Sequence, residues 1–299
     1  MLTENSLKMV LTWLVLINAV FSFIVLSEIK SSDKIEMKIW VDKELYLTRE
    51  PIFVNYETKN VSDSMLFLNF LEIEEYFVIK DQTGHFYGPL TRGEYIHGDT
   101  LLPHQSHSAW LNITDSYRVT EVGEYECYVQ MPSGGFFPYT GAKSNTIKIK
   151  VKEPKGDERK ALDLYLEAEN LRWGRDKAGR KDLKKMELGF LKYIELVDKY
   201  PKSVYAPLAL RSAWGTYHYS RNLEDRKKNI PIYKRLIESY SNSYYFLSAF
   251  SGLVDTYAKL KDKSEAIQTM KELIEKHPNT KISEKAEYWL EKIEKWEFK

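Results

Sequence analysis

Three stretches of this 299-residue chain carry nearly the same pattern: ELVDKYPKSVYAPLAL at 195–210, RLIESYSNSYYFLSAF at 235–250 and ELIEKHPNTKISEKAE at 272–287. Leu196, Leu236 and Leu273 correspond, at spacings of 40 and 37, and Ala209, Ala249 and Ala286 keep the same two spacings. Tyr200, Tyr240 and His277 align before a loop that holds Pro201 and Pro278, with Ser241 in the middle copy. A period of this size constrains the fold more than any composition does, because it calls for small units that bury their apolar faces only by stacking on one another. The last copy shows the unit. Phe250, Leu253, Val254 and Tyr257 fall at i, i+3, i+4, i+7 spacing, and a polar turn, LKDKS, follows. Ala266, Ile267, Met270, Leu273 and Ile274 mark a second apolar face that ends at Pro278, which cannot continue a helix. Two helices joined by a short turn make an antiparallel hairpin, and neither can bury its stripe alone.

With Phe250, Leu253, Tyr257, small Ala266, large Met270 and Pro278 at these spacings, the unit resembles the tetratricopeptide repeat. Val254 stands where that family usually has Gly. The middle copy keeps Tyr217, Tyr233 and Leu236, carries about three extra residues in YSRNLEDRKKNIP, and lacks the closing proline. The long KYPKSVYAP loop is similar to the variant found in bacterial envelope scaffolds. The resemblance covers about half the chain and implies an all-α array of about three hairpins and a C-terminal capping helix over 155–299, binding a protein or peptide partner on its concave face. Within the last hairpin Leu253 and Tyr257 pack inward; at about 100° per residue Asp255 lies about 200° from both, with Ser251 and Lys259 on its flank. Counting back 40 reaches Arg211, Gly215 and Tyr219, with His218 adjacent. Arg211, His218, Tyr219, Ser251, Asp255 and Lys259 are therefore the expected partner-binding residues, with Arg and Tyr as the energetic anchors. The aromatic residues of the last helix, Trp289 and Trp296, read as part of the cap.

Between residues 28 and 154 the pattern changes to short alternating runs broken by turn chemistry. KIEMKIWV, EPIFVNYETKN, MLFLNFLEI, YFVIKD, SAWLNI, GEYECYVQM and NTIKIKVKEP make about seven strands, and Gly84 suits a hairpin loop. That number in some 120 residues predicts a two-sheet antiparallel sandwich. EVGEYECYV resembles the late strand of immunoglobulin-like domains, which implies that Tyr125 is a corner tyrosine and Cys127 an inward residue. Cys127 is the only cysteine, so no intersheet disulfide can form. The architecture expected is multidomain: an all-β immunoglobulin-like sandwich followed by the helical array, with Pro154 and Gly156 at the hinge.

Residues 9–26, MVLTWLVLINAVFSFIVL, form an uncharged apolar run, longer than a usual signal core and at the short end of a bilayer span. Residues 1–27 are expected to be a signal peptide or a signal anchor, giving an exported protein of the periplasm or cell envelope, held at the membrane if the segment is retained. The net charge of +1 conceals an asymmetry. Residues 28–154 hold 13 Lys and Arg against 19 Asp and Glu, whereas 155–299 hold 30 against 23. A basic array beside an acidic sandwich suits domain docking or an acidic partner. The densest basic run, RWGRDKAGRKDLKK, reads as a solvated interhelical loop. Nucleic acid is not expected behind an export segment, and no aromatic interleaving supports it.

No nucleophile elbow, zinc-binding helix motif, phosphate loop or paired cysteine occurs, so no enzyme and no cofactor is expected. One constellation stands apart. His85, His97, His104 and His107 fall within 23 residues, with Asp99 among them. They are the basis of an alternative reading as a metal-binding or hydrolytic envelope protein, against the reading of HGDTLLPHQSHSAW as a polar loop entering a strand. A further alternative is a structural anchor that binds through the sandwich. Asn60 and Asn112 fit glycosylation sequons, which bear on a eukaryotic secretory pathway only.

Overall fold

The computed structural model describes residues 34–69, 74–89, 98–131, 141–175, 182–218, 220 and 222–296. The chain divides into two compact units between Lys152 and Glu153. The apolar run at 9–26, His97 and Tyr219 lie outside the described residues. Among those that are described, no helix is long and apolar enough to cross a membrane.

The first unit is a β domain of two main sheets. β1 (Ile35–Trp40), β3 (Phe53–Asn60) and β8 (Ser106–Asn112) form one antiparallel sheet in the order β1-β3-β8. The other follows the order β2-β10-β9-β5-β6, built from β2 (Leu45–Leu47), β5 (Phe77–Asp81), β6 (Phe86–Tyr87), β9 (Gly123–Val129) and β10 (Ile147–Lys152). β4 (Leu66–Asn69) and β7 (Gly98–Leu101) pair separately. All seven expected strands are present, and three short ones join them. β7 falls within the stretch read as a polar loop. β2 runs parallel to β10, joining segments about a hundred residues apart. The turn between β5 and β6 passes through Gly84 at φ +83°.

Period-2 alternation determines which faces meet. β1 reads buried–exposed throughout, and Ile35, Met37 and Ile39 join Tyr56 and Leu111 of the same sheet against Ile79, Cys127, Ile149 and Val151 of the other. Tyr125 is buried, and its hydroxyl donates to the Glu121 carbonyl at 2.8 Å, the corner bond expected of it. Two residues on, Cys127 is fully buried, and burial pushes its thiol up to about 12. Labelling by a thiol reagent is therefore expected only on unfolding, so the native protein and the urea-unfolded protein should differ by orders of magnitude in rate. Fast native labelling would put Cys127 on the other face of β9. The Asn60 sequon is spent structurally. Its side chain is fully buried and its amide donates to the carbonyls of Ser64, Leu101 and Leu102, at 2.8, 3.1 and 3.1 Å. The Asn112 amide oxygen instead caps the short helix α1 (Ile113–Tyr117).

The second unit is helical. α2 (Gly156–Arg172) and α3 (Leu183–Lys199) make the first hairpin. α4 (Ala206–Tyr217) is followed by the short α5 (Leu223–Lys227) and α6 (Asn229–Ser239). α7 (Phe246–Leu260) and α8 (Lys263–Lys276) form the third hairpin, and α9 (Lys281–Lys295) follows. The extra residues of the middle copy are accommodated as α5.

The repeat extends to individual hydrogen bonds. Tyr200, Tyr240 and His277 each donate their N–H to the carbonyl four residues earlier, Leu196, Leu236 and Leu273, at 2.8, 3.0 and 3.1 Å. Ser203 N–H reaches the Tyr200 carbonyl and Ala206 N–H the Ser203 carbonyl; forty residues on, Ser243 and Phe246 repeat both bonds. The hydroxyls of Ser203 and Ser243 accept from Tyr205 and Tyr245 N–H, each at 3.1 Å. The turn thus closes in the same way with Pro201 or with Ser241, so proline is not what ends the helix.

Seams between hairpins repeat as well. Asp198 of α3 pairs with Arg235 of α6 at 2.6 Å, and Glu238, forty residues after Asp198, pairs with Lys276 of α8 at 3.0 Å. Tyr240 donates to the Pro201 carbonyl at 2.8 Å, and Lys281 to the Ser241 carbonyl at 3.2 Å. Leu196, Tyr193, Tyr233, Leu236, Phe250, Leu253, Ala266 and Met270 lie fully buried between the helices.

Candidate interaction face of the helical array

α2, α4 and α7 are the first helices of their hairpins, and each has one face turned into the stack. α7 buries Ala249, Phe250, Leu253, Val254 and Tyr257, and α4 buries Ala209, Leu210, Ala213 and Tyr217. Their charged residues take the remaining face, since unpaired charge is costly to bury. Arg211 and Ser251, forty residues apart, are both exposed. Ser251 returns its hydroxyl to the Leu247 carbonyl at 3.3 Å. Asp255 and Lys259 form an i, i+4 pair at 2.5 Å with both side chains about two-fifths exposed.

His218 follows α4 directly and belongs to the same neighbourhood. Its Nδ1 lies 3.1 Å from the Tyr233 hydroxyl of α6. Burial lowers its pKa from the ordinary 6.5; Asp255 opposes that shift, whereas Lys259 and Arg226 reinforce it. His218, Asp255 and Lys259 are thus brought together across the second and third hairpins. Arg211 stands seven residues before His218, about two turns nearer the helix start. Because the fold favours the neutral imidazole, His218 contributes stability that is present above the ordinary pKa of about 6.5 and is lost as pH falls from there through the lowered pKa of the folded state. Urea unfolding of the full chain at pH 7.5 and 5.5 should show a lower midpoint at 5.5, with His218→Gln narrowing the gap. An equal gap in the variant would refute the assignment.

The basic run contributes a residue that a solvated-loop reading overlooks. Arg172, the last residue of α2, is only 13% exposed in its side chain. Its guanidinium lies 4.9 Å from the Trp173 ring and 3.5 Å from Glu169. It passes over Gly215 of α4, where a Cβ would stand 2.7 Å from a guanidinium nitrogen. Glu169 also accepts from the Trp173 indole at 2.9 Å and from the Tyr193 hydroxyl. The face therefore begins in the first hairpin, with Trp173 well exposed beside Arg172. Counting by forty could not find it, because ten residues separate α2 from α3 whereas two separate α7 from α8.

The histidines do not form a centre among the described residues, where no group of three or more His, Cys, Asp or Glu is placed to hold a metal ion. His85 packs edge-on against Tyr87, and His104 Nε2 meets Asp63 at 3.1 Å on the surface. His107 stands opposite Thr58 in the β3–β8 register.

Comparison with known proteins adds one assignment. Residues 249–280 match the sequence model of the tetratricopeptide repeat family, a family that serves protein–protein binding. That span covers all but the first three residues of α7, the whole of α8 and the turn before α9. Together with the register above, it makes the second unit a tetratricopeptide-like array preceded by a β domain. No curated protein matches the chain. Among solved structures, a CARDB domain from Pyrococcus furiosus in complex with di-metal ions is 10% identical over 40% of this chain and 87% of that one, with a TM-score of 0.25. The yjhA protein of Bacillus subtilis is 13% identical over 40% and 92%, at 0.24. A β-glucosidase from Listeria innocua in complex with isofagomine is 14% identical over 39% of this chain and 16% of the enzyme, also at 0.24. Likeness at this level carries no argument about ligands.

Proposed function

We propose that this chain is a non-enzymatic interaction protein of the cell envelope that holds a polypeptide segment along the first-helix face of its array. The observation that carries the reading is a coincidence of two features. The repeat match at 249–280 falls on a family of protein-binding repeats, and Arg211, Ser251, Asp255 and Lys259 lie on the helix face that stacking leaves uncovered. Arg, Asp and Lys side chains offer charge-assisted hydrogen bonds to an extended peptide. Half-buried Trp214 and exposed Trp173 offer aromatic contact. Envelope placement rests on the apolar run at 9–26, and the β domain acts as a spacer or a second binding module.

A photo-crosslinking residue at Ser251 is expected to capture a discrete polypeptide in intact cells. The same residue at Glu275, exposed on α8, should capture none. Arg211→Ala combined with Asp255→Ala should weaken binding of the captured partner at least ~10-fold with the melting curve unchanged. Equal capture from both positions, or unchanged affinity in the double variant, would move the site off this face. Fractionation of the native host and the intact mass of the protein test the location and separate cleavage from anchoring.

A further inference from the structure

We propose that the binding face continues onto α9, and that Lys285, Tyr288 and Lys292 form its last step, built to receive the carboxylates of an acidic peptide segment. The inference rests on the first-helix face being the interaction surface and names the chemistry of what it holds.

Register is the first support. The offset of 37 that carries Ala249 to Ala286 carries Ser251 to Tyr288, Asp255 to Lys292 and Lys259 to Trp296. α9 touches both α7 and α8, and it buries Ile282, Ser283, Ala286 and Ile293. It stands where the first helix of a fourth hairpin would stand. Tyr288 and Trp296 are 44% and 46% exposed, so one of the two tryptophans read as cap faces water, and Tyr288 does so as well.

Charge is the second. The ammonium groups of Lys285 and Lys292 lie 4.3 and 4.5 Å from the Tyr288 ring centroid, from one turn before and one turn after it. Cation–π contact holds both flexible side chains beside one ring and lowers the entropy lost when they take an anion. Among the described residues neither lysine has a carboxylate partner, whereas Lys259, Lys276 and Lys295 each have one. Among the described residues Arg211, two steps back on the face, likewise forms no ion pair. Asp255 and Glu169 are already paired with Lys259 and Arg172, and Glu284, one turn before Tyr288 with no ion pair among the described residues, is outnumbered by Lys285, Lys292 and Arg211. The unspent charge along this line is therefore positive. The two ammonium groups also hold the Tyr288 hydroxyl below its ordinary pKa. Complementarity calls for Asp or Glu side chains, with an apolar side chain against Tyr288 or Trp296.

The test uses the full chain and two fluorescein-labelled twelve-residue peptides, one alternating Glu and Leu and one alternating Gln and Leu, titrated by anisotropy. The Glu peptide is expected to bind at least ~10-fold more tightly than the Gln peptide, and raised salt should narrow the difference. Lys285→Ala with Lys292→Ala should remove most of that preference, and Lys285→Arg with Lys292→Arg should retain it, which guards against loss of fold. Equal affinity for the two peptides, or wild-type affinity in the double-alanine variant, overturns the proposal. Arg211→Ala with Asp255→Ala separates the two readings. Loss of peptide binding there but not in the lysine variant leaves the face standing and removes its extension to α9. Loss in neither variant removes the face itself as the peptide site. Vesicles with one-quarter anionic lipid serve as the last arm; lysine-dependent binding to vesicles, with no preference for the Glu peptide, would reassign the cluster to membranes and overturn the peptide reading.

Discussion

Gly189→Ala is expected to destabilise the array by about 3 kcal/mol. Gly189 lies in α3 facing α2, and a Cβ there would sit 2.8 Å from the Ala168 carbonyl oxygen and 2.9 Å from the Arg172 backbone nitrogen. Those neighbours are main chain, so no rotamer change relieves the clash and the two helices must separate. Gly215→Ala is the control. Its new methyl meets only the guanidinium of Arg172, the far end of a long side chain, and should cost under about 1 kcal/mol. Urea midpoints followed by far-UV circular dichroism would rank the two, and a Gly215 variant less stable than the Gly189 variant would show that the α2–α3 approach is not the tight one.

Leu236→Ala should cost about 2–5 kcal/mol. Leu236 is fully buried in α6, its carbonyl receives the Tyr240 N–H that closes the turn, and Leu196 and Leu273 hold the same place in the neighbouring copies. The alanine leaves a cavity in the stack between second and third hairpins, where helices held by seams on both sides cannot collapse to fill it. Leu247→Ala, an exposed position on α7, should change stability by less than about 0.5 kcal/mol. Near-equal effects at the two positions would mean that the stack is not packed as described.

Sequence reasoning could read the parts of this molecule that repeat or alternate. A register of about forty residues needs only matched spacings, and it found the seam down to Tyr200, Tyr240 and His277, whose N–H groups close each turn. Alternation found seven strands, and the resemblance of EVGEYECYV to an immunoglobulin-like late strand supplied the inward place of Cys127. β2 and β6, at three and two residues, are too short for a period of two to register, and β2 is defined by a partner near the other end of the unit. β7 is a strand because β4 pairs with it, and its GDTL reads locally as turn chemistry. Among the site residues, Arg211 and Ser251 keep the shared register, and Asp255 is joined by His218. Arg172 was out of reach for a different reason: a run of basic residues says nothing about which one turns back, and only the close approach of α2 to Gly215 distinguishes it. The Asn60 sequon fails in the same way, because a three-residue motif cannot report that its amide is already committed to three carbonyls.

The seams have a consequence for how such a chain can change over evolutionary time. Each of these ion pairs and loop-carbonyl bonds links a hairpin to the hairpin or capping helix that follows it, and the acceptors of one joint, Asp198 and the Pro201 carbonyl, recur forty residues later as Glu238 and the Ser241 carbonyl. The joints are interchangeable couplings, and the number of hairpins is a free variable. A duplicated segment of one period would meet a matching coupling at either end, so the length of the surface offered to a partner can grow or shrink in whole units while every existing contact keeps its chemistry.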